Sequence, residues 1–187
     1  PPDGYTLLVS GNSFWVGPLL QTLPYDPLRD FSPIAMLSEN PNIIVVHPSV
    51  PVKSIKELIA IARARPGQLN YASAAKGTAT HLAAELFKSM AGVNIVAVNF
   101  KGGAGAVNAV IGGEVELAFT VPVAGMPHVK SGRLRALAVT SLKPSALVPG
   151  LPTVAATGPG YESGATAALF GPAKIPAAIV SRLNQEV

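Results

Sequence analysis

The stretch Asn70–Phe87 constrains this chain most, because its apolar pattern changes period part-way. Leu69 and Tyr71 suit the end of a buried strand. From Ala79 onward Leu82, Ala83, Leu86, Phe87 and Met90 recur at helical spacing. Gly92 is placed to stop that helix in the left-handed conformation. The loop between carries Ser73, Lys76, Gly77, Thr78 and Thr80. A helix amino end has unpaired N–H groups and a partial positive charge, so a loop of hydroxyls and one lysine there favours an anion. Many strand–helix turns of this kind bind nothing, and both readings stand at this point. A phosphate-binding P-loop is excluded, since it needs Gly-Lys-Ser/Thr and the order here is Lys76-Gly77-Thr78.

The rest of the chain repeats the alternation. Tyr5–Val9 reads as a buried parallel strand, followed by the polar, glycine-bearing loop Ser10-Gly11-Asn12-Ser13. Strands are expected at Phe31–Leu37, Ile43–Val46, Val93–Val98, Val115–Phe119, Leu134–Val139 and Ala165–Phe170. Ser54 to Glu57 has the capping-box pattern, and Pro66-Gly67 ends the helix it opens. Lys101-Gly102-Gly103-Ala104-Gly105 leads into a small-residue helix, and Pro122–Lys130 into a short one. Prolines and glycines from Pro144 to Gly160 read as a loop or a crossing between lobes. Pro176 takes a first helical position, with Ile179, Val180 and Leu183 as the buried stripe. Strands alternating with helices predict a mostly parallel sheet flanked by helices. Ligands in such sheets bind outside the carboxyl ends of strands. Three loops have that position: Ser10–Ser13, Ser73–Thr80 and Lys101–Gly105.

Charge and chemistry narrow the function. Apolar residues make up 49% of the 187, enough for a packed core and too many for disorder. No apolar run reaches the length of a membrane span. The net charge of +4 is spread along the chain without interleaved aromatics, which argues against nucleic-acid binding. The absence of cysteine excludes disulfides, thiolate metal sites and a cysteine nucleophile. No histidine pair has zinc spacing, so no metal and no cofactor is expected. His47 suits a surface turn and His128 a helix surface. His81, in the first turn of the central helix, suits packing, capping or ligand contact, in the neutral form. No acid sits in any of the three loops. Ser73 to Lys76 matches Ser-X-X-Lys, but the companion motifs of the β-lactamase pattern are missing.

Several stretches, taken in order, carry a family likeness. They are Pro2–Leu8, Leu23–Pro33, the capping box at Ser54, Pro66–Ser73, His81–Phe87, Phe100–Gly103, Gly132–Thr140 and Leu151–Val154. Together they resemble the Bug family, the substrate-binding receptors of tripartite tricarboxylate transporters. The resemblance implies a periplasmic binding protein of type II-like architecture, α/β, with two lobes around a cleft. By that likeness residues 1–33 and 150–187 are parts of the first lobe, 34–45 and 139–150 the crossing segments, and 46–138 a complete second lobe. The family segment before Pro1 is missing, so the first lobe is expected to be partial, and the chain reads as cut at both ends.

The likeness also implies the site. Ser73, Ala74, Gly77 and Thr78 would anchor a carboxylate, with His81 behind them. Ser10, Gly11, Asn12 and Ser13 would be the matching loop of the first lobe, and Lys101 and Gly102 would border the cleft. The implied function is capture of a small carboxylate (a di- or tricarboxylate, an acidic amino acid or an aromatic acid). A monomer would deliver it to membrane transporter subunits, with no catalysis. This sequence departs from the family at Ala75, which replaces the first glycine of the loop. It departs again at Thr120, where an aspartate is common, and at Thr166–Ala168, where a tryptophan is expected. Two other readings remain: an α/β enzyme using Ser73 and Lys76 for acyl chemistry, and a ligand-sensing regulatory domain.

Overall fold

The computed structural model describes residues 1–187. In chain order the elements are β1 (Leu8–Gly11), α1 (Asn12–Leu20), β2 (Phe31–Pro41), β3 (Ile43–Val46), α2 (Ile55–Ala64), β4 (Asn70–Ser73), α3 (Ala79–Ala91) and β5 (Val96–Asn99). They continue with α4 (Gly102–Ile111), β6 (Leu117–Thr120), α5 (Pro122–Lys130), β7 (Arg135–Val139), a single 3-10 turn at Val154–Ala156, β8 (Gly164–Pro172) and α6 (Ala177–Glu186). The chain divides into two compact units, one of Pro1–Asn40 with Ala165–Val187 and one of Pro41–Gly164.

The first unit has a three-stranded sheet in the order β1-β8-β2. β1 pairs antiparallel with β8, from Leu8 against Phe170 to Gly11 against Ala167. Aromatic residues hold this unit. The buried Phe14 ring stacks on Tyr25 at 5.4 Å and meets Phe31 edge-on at 4.9 Å and Phe170 at 4.8 Å. Such ring pairs add about 0.5–1.5 kcal/mol each to the burial of their area. Two expectations fail here. The run Tyr5–Val9 is not a buried parallel strand: β1 starts at Leu8, is an edge strand paired antiparallel with β8, and leaves Val9 58% exposed. In α6, Ile179, Val180 and Leu183 are half-covered and no residue of the helix is buried. In both places an apolar pattern is present without a surface to cover it fully.

The second unit is a five-stranded sheet in the order β5-β4-β6-β3-β7. β4 runs parallel to β5 and β6, while β3 runs antiparallel to β6 and β7. The sheet is therefore mixed, not mostly parallel. The run Ile43-Ile44-Val45-Val46 is fully buried. A continuous apolar strand marks burial on both faces and carries no sign of strand direction, which is why the sequence pattern missed the reversal. Alternation of side chains builds two cores. Ile44, Val46, Tyr71, Leu117 and Phe119 face α2 and α3, meeting Leu58, Ala83 and Phe87. Ile43, Val45, Ala72 and Ala118 face α4, meeting Val107 and Val110.

Residues 150–164 also depart from the expectation, which put them with the first lobe. Val154 and Tyr161 are buried in the second unit beside Phe87, and the Tyr161 hydroxyl donates to Ala83 O at 2.8 Å. Val139 and Thr153 form a parallel bridge. The chain leaves this unit at Gly164, in β8, and not over 139–150. The Pro/Gly density of the segment hid two isolated anchors. The capping box at Ser54 forms with a shift of one residue. Ser54 Oγ accepts from Glu57 N at 3.2 Å, while Glu57 Oε2 accepts from Lys53 N at 2.7 Å. No helix is long and apolar enough to cross a membrane.

Candidate functional site

Within the second unit, β5, β4 and β6 are neighbours with one direction, so their carboxyl ends lie at one edge of the sheet. Each strand feeds a helix from that edge: β4 into α3, β5 into α4 and β6 into α5. Phe100 N donates to Ser73 O at 2.8 Å, which ties the loops after β4 and β5 side by side. Two helix amino ends, of α3 and α4, are thereby brought together, and each has donors without intrahelical partners.

The two ends are finished differently. Thr78 is the N-cap of α3: its hydroxyl accepts from His81 N at 3.4 Å, donates to Ala75 O at 2.8 Å and meets Thr80 Oγ1 at 3.2 Å. The N-cap of α4 is Lys101, whose side chain caps nothing, and Gly102, Gly103 and Ala104 are exposed. The amides at the start of α4 face outward unpaired by any cap. At the end of β4 sits Ser73, 1% exposed, whose hydroxyl has no hydrogen-bond partner. An unpaired buried hydroxyl costs about 1–3 kcal/mol. Ser73 ends β4, ahead of the loop that opens α3.

Gly77 lets the loop turn. It is buried and adopts φ +79°, the left-handed region in which a side chain is strained by about 1–2 kcal/mol. Gly77→Ala is expected to lower stability by about that amount in urea unfolding and to displace the loop. An unchanged urea midpoint would show that the loop absorbs the substitution elsewhere.

Gly77 N donates to His81 Nδ1 at 3.4 Å. Nδ1 is thus the acceptor, and the neutral ring carries its proton on Nε2. Burial lowers the His81 pKa below its ordinary 6.5; Glu85 opposes the shift, and Lys88 and Lys76 add to it. Glu85 lies one turn further along α3 and accepts from the buried Tyr71 hydroxyl at 2.7 Å and from Lys88 Nζ at 2.8 and 3.0 Å. Burial works against the Glu85 carboxylate, but the bonds from Lys88 and Tyr71 outweigh it and hold the pKa below the usual carboxylate value. Burial first, and Glu85 second, push the Tyr71 phenol well above its usual range.

The structure thus brings Ser73, Ala74, Gly77, Thr78 and His81 into one turn, with Lys101 and Gly102 on the adjoining loop. Both Lys76 and Lys101 are exposed. Ser10, Gly11, Asn12 and Ser13 belong to the first unit, where β1 passes directly into α1. Asn12 Oδ1 accepts from Thr166 N at 2.9 Å and from Thr166 Oγ1 at 3.2 Å, so this residue is tied to β8. A serine nucleophile needs a base within hydrogen-bond reach. Ser73 Oγ has none, which removes Lys76 from that role in this structure. The sequence reading missed the Tyr71–Glu85–Lys88 network. The spacing of His81, Glu85 and Lys88 on α3 was its visible signal.

Comparison with known proteins places this arrangement. Residues 1–187 match the family model of the tripartite tricarboxylate transporter family receptor. Protein BugT of Bordetella pertussis is 35% identical over 189 residues, covering 99% of this chain and 58% of BugT. The structure of R. palustris Rpa4515 with adipate superposes with a TM-score of 0.87 at 37% identity, covering 99% of this chain and 63% of that one. MatC (Rpa3494) from Rhodopseudomonas palustris with bound malate gives 0.85 at 29% identity, covering 99% and 64%. The chain thus spans about six-tenths of the length of these relatives. Both the periplasmic-binding-protein fold and the family likeness read from the motifs hold. The chain belongs to the tripartite tricarboxylate transporter receptor family.

Proposed function

We propose that the protein to which this chain belongs is a periplasmic receptor that captures a small carboxylate and delivers it to the membrane subunits of a tripartite tricarboxylate transporter. The observation that carries the reading is the orphaned, buried Ser73 hydroxyl at the end of β4, whose backbone oxygen accepts from Phe100 N in the loop that opens α4. A carboxylate accepts hydrogen bonds from hydroxyl and amide donors, and a bond to a charged acceptor contributes about 1.5–3 kcal/mol. In this reading Ser73 and the amides of Ala74, Gly77 and Thr78 are the donors on one side of the carboxylate, shared between its two oxygens, and Lys101 with the Gly102 amide takes the other side. Adipate and malate, bound to the two relatives, make dicarboxylates the first acids to try.

Thermal unfolding of the full-length protein against malate, adipate, citrate, glutamate and benzoate tests this. An acid present at about a hundred times its dissociation constant adds roughly 2.7 kcal/mol, a rise of several degrees in Tm. A rise with one acid, recovered chemically unchanged, is the expected result. Conversion of the acid during incubation would restore the enzyme reading, and no rise with any acid would overturn the carboxylate reading.

A further inference from the structure

Gly77 N–H is one of the donors that a carboxylate at this turn would use, and here it is occupied by His81 Nδ1 at 3.4 Å. The acceptor and the anion compete for one N–H group. An imidazole can accept at Nδ1 only while that nitrogen is unprotonated; once both ring nitrogens carry protons, both are donors. Protonation therefore does two things at the same place. It releases the Gly77 amide, and it sets a positive charge in the first turn of α3 behind the loop. Both favour an anion. A second polar group at this turn is without a partner: the Ser73 hydroxyl, 1% exposed.

We propose that His81 is a positioning residue that couples carboxylate capture to proton uptake: the neutral ring holds the Gly77 amide in the empty turn, and the protonated ring releases it to the bound anion. The inference rests on the carboxylate reading of this turn given above. The charged groups acting on the ring are Lys76 from the loop and Glu85 and Lys88 from its own helix, with Tyr71 of β4 acting through Glu85. Glu85 accepts from Tyr71 and Lys88 and acts on the ring through its charge. Burial disfavours the charged ring and lowers its pKa. An arriving carboxylate supplies the missing counter-charge and raises the affinity of the ring for a proton. By linkage, lowering the pH then raises the affinity for the carboxylate. The same sign predicts that the empty protein loses stability as pH falls below the ordinary histidine value, because unfolding lets the ring charge.

The test uses the full-length protein, with malate and adipate as probes, and the variant His81→Asn. Asparagine offers an acceptor oxygen near the position of Nδ1 and does not titrate. In the wild type, the NMR signal of the Gly77 amide should titrate with the His81 ring. Affinity measured by calorimetry should rise about tenfold between about pH 8 and about pH 5.5 beyond any change seen in His81→Asn, equivalent to one pK unit of coupling. Calorimetry near pH 6 in two buffers of different ionisation enthalpy should show proton uptake in the wild type that His81→Asn lacks. Equal pH slopes and equal proton uptake in the two proteins, or a Gly77 amide indifferent to His81, would overturn this inference and leave the receptor reading standing. Failure of both acids to bind at any pH would overturn the carboxylate reading and this inference with it.

Discussion

Ser73→Ala should weaken carboxylate binding by about ten- to a hundredfold while leaving the melting temperature unchanged or slightly higher. The two halves of this result have one cause. The hydroxyl is buried without a partner, so in the empty protein it contributes a cost of about 1–3 kcal/mol and no hydrogen bond. Removing it relieves that cost and leaves a void of one oxygen atom. In the liganded protein the same hydroxyl would donate to an anion, and its loss removes about 1.5–3 kcal/mol of binding. Calorimetric titration with malate and adipate, paired with thermal unfolding of the empty variant, separates the two. A variant that binds as tightly as the wild type would show that Ser73 lies outside the site. Thr78→Val is a poorer probe, because Thr78 also caps α3 and its loss costs about 1 kcal/mol of stability.

Phe87→Ala should lower the stability of the second unit by about 3–5 kcal/mol. Phe87 is 2% exposed, and its ring lies 5.8 Å from that of Phe119 on β6 and 6.3 Å from that of Tyr161. It joins α3, the sheet and the returning segment at a single point. Domains are stable by only about 5–15 kcal/mol, so the loss is a large share of the total. Urea unfolding followed by tryptophan-independent circular dichroism measures it, since Trp15 belongs to the first unit. Faster proteolysis within residues 150–164 should accompany the change, because Tyr161 loses its ring partner. A loss below about 1 kcal/mol would show that the segment around Val154 and Tyr161 does not pack on α3.

Much of this protein was legible in local sequence. The change of period after Tyr71 and the left-handed Gly92 at φ +61° depend on neighbours in the chain, and both are present. The motif likeness carried the family. Tertiary structure alone decided the direction of β3, since Ile43–Val46 reads the same buried run either way. It also decided that residues 150–164 complete the second unit, because Val154 and Tyr161 are single anchors that need a distant core to bury them. It showed that Tyr71, placed in a strand by its apolar ring, directs its hydroxyl to Glu85, fourteen residues on. Above all, the sequence placed Ser73 in a loop of donors but could not show that its hydroxyl is enclosed and unpaired. Helices and caps form from residues a few positions apart. Strand order, burial and the satisfaction of hydrogen bonds depend on residues brought together from far along the chain.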